Sequence, residues 1–172
     1  MIKFIIKIVV GFVFFVLLQV WVLNDIHLFK IVEPFLYIYV IVKFPVRMTR
    51  VQILLVSFLL GLVIDMFSNT LGMHAAACSL IGFLRNPLMG AYVDKDVMEG
   101  ATPSYRTFGT GAFMRYTVTL VIIHHVVLFL IESISLFDPV FLLLRIFASI
   151  ILTTLCIFVV EAFNVNRKSG SA

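Results

Sequence analysis

Long apolar stretches alternate with short polar interruptions along all 172 residues. A helix rises 1.5 Å per residue and the hydrocarbon core is about 30 Å thick, so a spanning helix needs about 20 mainly apolar residues. On that measure the pattern predicts six helices, at about 4–22, 31–44, 51–67, 71–88, 113–134 and 140–163. Polar turns are expected at Asn24-Asp25, at Ser68-Asn69-Thr70 and from Ser135 to Pro139. The longest polar stretch, Asp94 to Met114, is too short for a domain and is expected at the membrane surface, with Tyr92, Tyr105 and Tyr116 as anchors. Residues 165–172 read as a polar, frayed cytoplasmic tail.

The second helix is the least regular. Glu33-Pro34 resembles a helix start, with proline at the first position. The fourteen residues that follow the pattern would span only about 21 Å as a helix. Either the helix begins earlier with Lys30 snorkelling, or the bilayer thins there; a re-entrant segment is the alternative.

Composition agrees with the pattern. Hydrophobic residues make up 62% and charged residues 13%, and the mean hydropathy is +1.15, whereas soluble domains sit near 45–50% and 25%. The reading is an all-α integral membrane protein with one transmembrane domain, residues 1–164. The net charge of +4 does not imply nucleic acid, because the basic residues flank the apolar runs. With the N-terminus inside, Lys3, Lys7, Lys43, Arg47, Arg50, Arg85, Lys95, Arg106, Arg115, Arg167 and Lys168 fall on one side and only Lys30 on the other. That asymmetry sets both termini in the cytoplasm and favours a crossing over a re-entrant second segment. The N-terminal run lacks a small-residue cleavage pattern and is read as an uncleaved first helix. Cys78 and Cys156 lie in apolar runs without metal or redox spacing and read as small core residues.

Ionisable residues inside apolar helices are costly, by roughly 2.5–3.5 kcal/mol at a helix centre, and need partners. Asp65 ends the third apolar run and shares a face with Ser57 and Gly61. Gly72, Ala75, Ala76, Ser79 and Gly82 form a stripe of small residues on the fourth helix, which allows close approach of a neighbour. The third and fourth helices are therefore expected to pack tightly and antiparallel, with Asp65 near His74. Arg145, Ser149 and Thr153 share a face of the last helix, and His125 and Glu132 a face of the fifth. The expected outcome is a polar cluster of Asp65, His74, Glu132 and Arg145 toward the outer end, with His125 as a further member. Glu161 is expected to reach the interface or pair with a base. His124-His125 is a poor chelating pair, because adjacent helical positions point about 100° apart. No zinc-protease motif, nucleophilic triad or phosphate-binding glycine loop is present. Neither an enzymatic activity, a metal nor a cofactor is expected.

The run Gly61-Leu62-Val63-Ile64-Asp65, followed by Gly72-Met73-His74-Ala75, resembles the bacterial rod shape-determining MreD family. The likeness extends to Gln19-Val20-Trp21-Val22-Leu23-Asn24, the Pro34 region, Arg85-Asn86-Pro87, the Glu99 to Pro103 loop, Ile123-His124-His125 and Arg145, the last two as in Bacteroidetes-type members. The resemblance implies a non-enzymatic subunit of the cell-elongation machinery in the inner membrane. Its partner would be an MreC-like protein, and the pair would connect MreB filaments to the peptidoglycan polymerase and transpeptidase. It further implies a bundle similar to the substrate-binding subunits of energy-coupling-factor vitamin transporters. A solute-binding transporter subunit is accordingly the rival reading. Against it, Ala75 and Ser79 come nearest to the Ala-x-x-x-Ala docking motif of such subunits, but at the wrong end of the helix.

Overall fold

The computed structural model describes residues 2–23, 32–98, 101–133 and 138–169; the turns expected at Asn24-Asp25 and Ser135–Pro139, and Glu99 in its loop, fall wholly or partly outside these. Among the described residues the chain is all-α and contains no strand. The elements are α1 (Ile2–Leu18) running into a π-helical turn (Gln19–Leu23), α2 (Ile38–Val42), α3 (Arg50–Ser68) and α4 (Met73–Tyr92). Two short helices, α5 (Lys95–Met98) and α6 (Tyr105–Phe108), precede α7 (Thr110–Glu132) and α8 (Pro139–Ser169). Helix α3, helix α7 and the part of α8 from Pro139 to Asn164 are each long and apolar enough to cross a membrane.

Helices α3 and α4 form a tight antiparallel pair. The Thr49 hydroxyl accepts the Gln52 amide and the Gln52 side chain accepts the Thr49 amide, closing a capping box at the start of α3. Asn69 (φ 53°) and Gly72 (φ 78°) occupy the left-handed region and reverse the chain in the turn between the helices. Along the seam a Cβ at Gly61 would stand 2.4 Å from the His74 carbonyl oxygen, and one at Gly82 would stand 2.5 Å from Ser57 Oγ. The small residues are thus what lets the two backbones touch. Helix α4 is also packed against α7, so it lies at the centre of the bundle. It continues past Pro87 to Tyr92 rather than ending at 88. Loss of one backbone donor is tolerated where packing holds both sides of the helix.

The predicted second helix, 31–44, is mostly not helical. Only Ile38–Val42 forms a helix, and every residue from 34 to 42 is buried. Before it residues 33–35 are non-helical, and several backbone groups of this stretch are bonded by side chains from elsewhere in the chain. On one side Ser149 Oγ accepts the Glu33 amide and Thr153 Oγ1 accepts the Phe35 amide, both at 3.0 Å. On the other side Gln19 donates to the Pro34 carbonyl and accepts the Leu36 amide, both at 2.9 Å. The spacings match: residues four apart on a helix are about 6 Å apart, and residues two apart in extended chain about 6.6 Å. Helix α8 and Gln19 therefore stand in for the two neighbouring strands of a sheet. Arg85, fully buried on α4, donates to the carbonyls of Ile41 and Phe44 at the far end of the segment, and Tyr116 to that of Val42. Non-helical backbone survives in an apolar setting only where protein supplies such partners.

The segment also explains how so few residues cover the distance. Glu33 pairs with Arg145 and Lys43 pairs with Glu161. Those two partners are 16 positions apart on α8, or about 24 Å. Ten residues cover it because 33–35 are not helical and the long Glu, Arg and Lys side chains reach across the remainder. Three smaller differences follow from packing. Tyr116, expected as a surface anchor, is buried and bonded to the segment. Arg85 faces inward rather than flanking the membrane. Helix α8 continues through Ser169, so the expected tail from 165 is helical, since no glycine or proline follows Pro139 until Gly170.

Candidate functional site

Four of the polar residues singled out above gather at one end of the bundle, in two separate arrangements. Asp65 lies on the last turn of α3, where the 69–72 turn folds α4 back over it. Its Oδ1 accepts the His74 amide at 3.0 Å and the Thr70 hydroxyl, and its Oδ2 accepts the Ala75 amide at 2.9 Å. These amides belong to the second and third residues of α4, the two an N-cap side chain serves. Gly72, at the cap position, has no side chain to do so. Asp65 thus caps the following helix from the preceding one, and its charge faces the positive end of that helix. It contacts His74 through the backbone rather than the imidazole.

The second arrangement is a clasp around Arg145. Its Nη1 donates to Glu132 on α7 and its Nη2 to Glu33 on the non-helical segment, both at 2.9 Å. The guanidinium also lies 4.5 Å from the centroid of Phe129, a stacking contact suited to its planar, weakly hydrated charge. One cation therefore ties three separate parts of the chain. Glu33 was read as a helix start, and its role depends on contact across 112 positions, for which the sequence carries no local signal.

His74, Glu132 and Arg145 share the wall of a cavity of about 380 Å³, together with Gln19, Glu33 and Thr70 and an apolar floor that includes Phe35, Phe67 and Leu128. The volume suits a small ligand. Below it lies a buried aromatic and imidazole cluster. Tyr37 Oη bridges His74 Nδ1 at 2.7 Å and His124 Nε2 at 2.9 Å, and Phe35 packs its ring against His74, His124, His125 and Phe129. His125 belongs to this inner layer and not to the Arg145 clasp. Its Nδ1 meets the Val121 carbonyl, and its Nε2 meets Thr153 Oγ1, the same hydroxyl that accepts the Phe35 amide. Tyr37 was not singled out by sequence, and His124 was weighed only as a poor chelating partner of His125. A tyrosine in an apolar run beside a proline is the faint signal that was there.

The opposite end holds a further ion pair, between Lys43 and Glu161. Glu161 is 1% exposed and accepts Tyr39 Oη at 2.6 Å, Lys43 Nζ at 3.0 Å and the Tyr105 amide. Burial, and then the Glu161 carboxylate, raises the Tyr105 phenol above its ordinary pKa. Among the described residues no group of three or more His, Cys, Asp or Glu side chains is placed to hold a metal ion.

No family model, curated protein or solved structure matches the chain.

Proposed function

We propose that this chain is a non-enzymatic subunit of the bacterial cell-elongation machinery, of the MreD type. In this reading it crosses the inner membrane six times, with both termini in the cytoplasm, in a bundle like that of vitamin-transporter binding subunits. Residues 33–43, partly non-helical and partly helix, form the second crossing, and α4, less apolar because it is central, forms the fourth. Its partner is an MreC-like protein, through which MreB filaments are coupled to peptidoglycan synthesis.

One observation carries the reading. Asp65, Arg85, Glu132, Arg145 and Glu161, the costly residues of the apolar helices, are each bonded to another segment of the chain. Such residues serve as pins that fix one arrangement of helices, which is what a scaffold needs. The resemblance of Gly61–Asp65 and Gly72–Ala75 to MreD gives the scaffold its context. The decisive experiment is a pull-down from membranes in mild detergent. Recovery of an MreC-like protein, together with rounding of cells depleted of this chain, is the expected outcome. Recovery of transporter ATPases without wall-synthesis proteins would overturn it.

The cavity at Arg145 favours a second reading, a solute-binding subunit, because charged groups of both signs stand over an apolar floor. That reading requires a small molecule that co-purifies with the protein or raises its melting temperature.

A further inference from the structure

Beneath the Arg145 cavity, three side chains form a hydrogen-bonded chain whose protons can be counted. Tyr37 Oη lies 2.7 Å from His74 Nδ1 and 2.9 Å from His124 Nε2. Both are hydrogen-bond lengths, so each link holds a proton. A hydroxyl has one proton to give, so one imidazole must supply the other. Each neutral imidazole carries one N–H, which makes three protons on the three neutral groups. Two fill the links. The third must sit at a free end, on His74 Nε2 or on His124 Nδ1.

The two ends differ. His74 is 6% exposed and lines the cavity wall. His124 is fully buried, and its Nδ1 has no hydrogen-bond partner among the described residues. A bare nitrogen is tolerated better there than an N–H, because orphaned buried N–H groups are the rarer. The third proton therefore belongs on His74 Nε2, and the chain runs one way. His124 Nε2 donates to Tyr37, and Tyr37 donates to His74 Nδ1. The chain is then full. A fourth proton on His74 makes both of its nitrogens donors. Tyr37 must then turn its hydroxyl to His124 and drive the His124 proton onto Nδ1, or keep a hydroxyl proton without an acceptor. Either way one donor is stranded in the core, which is costly.

The surrounding groups select the ring that takes this proton. On α3, Asp65 accepts the His74 amide, so its charge favours a cation on His74. On α4, Cys78 Sγ stands 4.0 Å from His124 Nε2, and sulfur is too weak an acceptor to replace a link. On α7, His125 is engaged at both nitrogens, by the Val121 carbonyl and the Thr153 hydroxyl. Glu33, Glu132 and Arg145, from the buried segment, α7 and α8, share the cavity wall with His74. Phe35 packs its ring on His74, His124 and His125, which ties residues 35–37 to the state of these rings.

We propose that His74, Tyr37 and His124 form a proton-operated latch. It holds residues 35–37 against α4 and α7 while all three groups are neutral, and it opens when His74 takes a proton from the cavity. The inference goes beyond the scaffold reading and holds equally for a solute-binding subunit.

The test is hydrogen exchange of the whole protein in mild detergent, read as protection factors of the Phe35 and Leu36 amides, which Thr153 and Gln19 hold. The range is about pH 8 to about pH 5, above the ordinary carboxylate values. Protection should hold down to about pH 6.5, the ordinary histidine value, and then fall by up to about tenfold per pH unit, the slope of a single proton. His74→Asn keeps an acceptor near the Nδ1 position and cannot titrate. Protection at the neutral end should survive in it, and the fall should vanish. Tyr37→Phe removes both links and should be weakly protected at every pH, again without the fall; it carries the comparison if His74→Asn does not fold. His125→Asn and His27→Asn should keep the fall. Nitrogen-15 spectra of the histidine-labelled wild type need no variant: near neutral pH, His74 and His124 should both be protonated at Nε2. A proton on His124 Nδ1 there overturns the count. Protection independent of pH overturns the latch, as does a fall that survives His74→Asn or Tyr37→Phe, or one that is lost in His125→Asn or His27→Asn.

Discussion

A Cβ on Gly61 would stand 2.5 Å from the Cα of Ala75, backbone against backbone across the α3–α4 seam. Neither atom can rotate away, so even alanine at 61 must separate the helices. Gly61→Ala should cost about 1–3 kcal/mol, the usual range for overpacking, read as a lower melting temperature in detergent. Gly82→Ala meets the side chain of Ser57 instead. The double variant Gly82→Ala with Ser57→Gly should therefore recover most of the loss, whereas Ser57→Gly should not help Gly61→Ala. Equal rescue of both would show that the contacts are not the cause.

Asp65 replaces a cap that Gly72 cannot supply. Asp65→Ala leaves two buried amides of α4 without a protein acceptor, and each orphaned group costs about 1–3 kcal/mol. Asp65→Asn keeps one acceptor oxygen and turns an N–H₂ toward the other amide, so its loss should be intermediate. Glutamate, one methylene longer, should not restore the wild-type melting temperature. Hydrogen exchange at His74 and Ala75 gives a local readout, and unchanged protection in Asp65→Ala would refute the capping role.

The Arg145 clasp has two acids and one base, which makes charge reversal asymmetric. Exchanging Arg145 and Glu132 restores their pair but sets a new glutamate against Glu33. The double reversal Arg145→Glu with Glu132→Arg should therefore remain less stable than wild type. Adding Glu33→Gln should bring it closer. Glu132 is 40% exposed, so Glu132→Gln alone should cost only about 0–1 kcal/mol. A double reversal as stable as wild type would mean that Glu33 contributes nothing to the clasp.

Glu161 is buried where Glu132 is not. Lys43→Met removes its cation and leaves a carboxylate with only Tyr39 and the Tyr105 amide as donors. Stranding one partner of a buried pair costs about 3–5 kcal/mol. Lys43→Met with Glu161→Gln should be markedly more stable than Lys43→Met alone, measured by thermal unfolding in detergent. If the double variant is the worse of the two, the pair is not the source of the penalty.

Much of this was legible in the chain. The apolar runs gave the long helices to within a few residues, because burial of a helix in lipid or in a bundle is decided by its own side chains. The Gly61–Asp65 run and the small stripe of α4 predicted the tight seam, because a short turn forces neighbouring helices together. The Glu132–Arg145 pair followed from depth alone. The clasp was legible only in half: Glu33 was hidden by its resemblance to a helix start, and His125 was placed a layer too far out because helical spacing fixes a face but not the partner it meets. His74 was expected near Asp65, and its amide is bonded to that carboxylate, but its ring turns to Tyr37, which nothing in the apolar run marks.

By itself the sequence determined which stretches are apolar enough to form long helices and where α3 reverses into α4. These properties depend on residues within one or two turns of each other. Tertiary structure alone decided the course of residues 33–44. Non-helical backbone is stable there only because Gln19, Ser149, Thr153 and Arg85 satisfy its amides and carbonyls. Those partners lie between 15 and 118 positions away, beyond the reach of any local pattern. Their side chains meet the segment only once α1, α4 and α8 have packed around it.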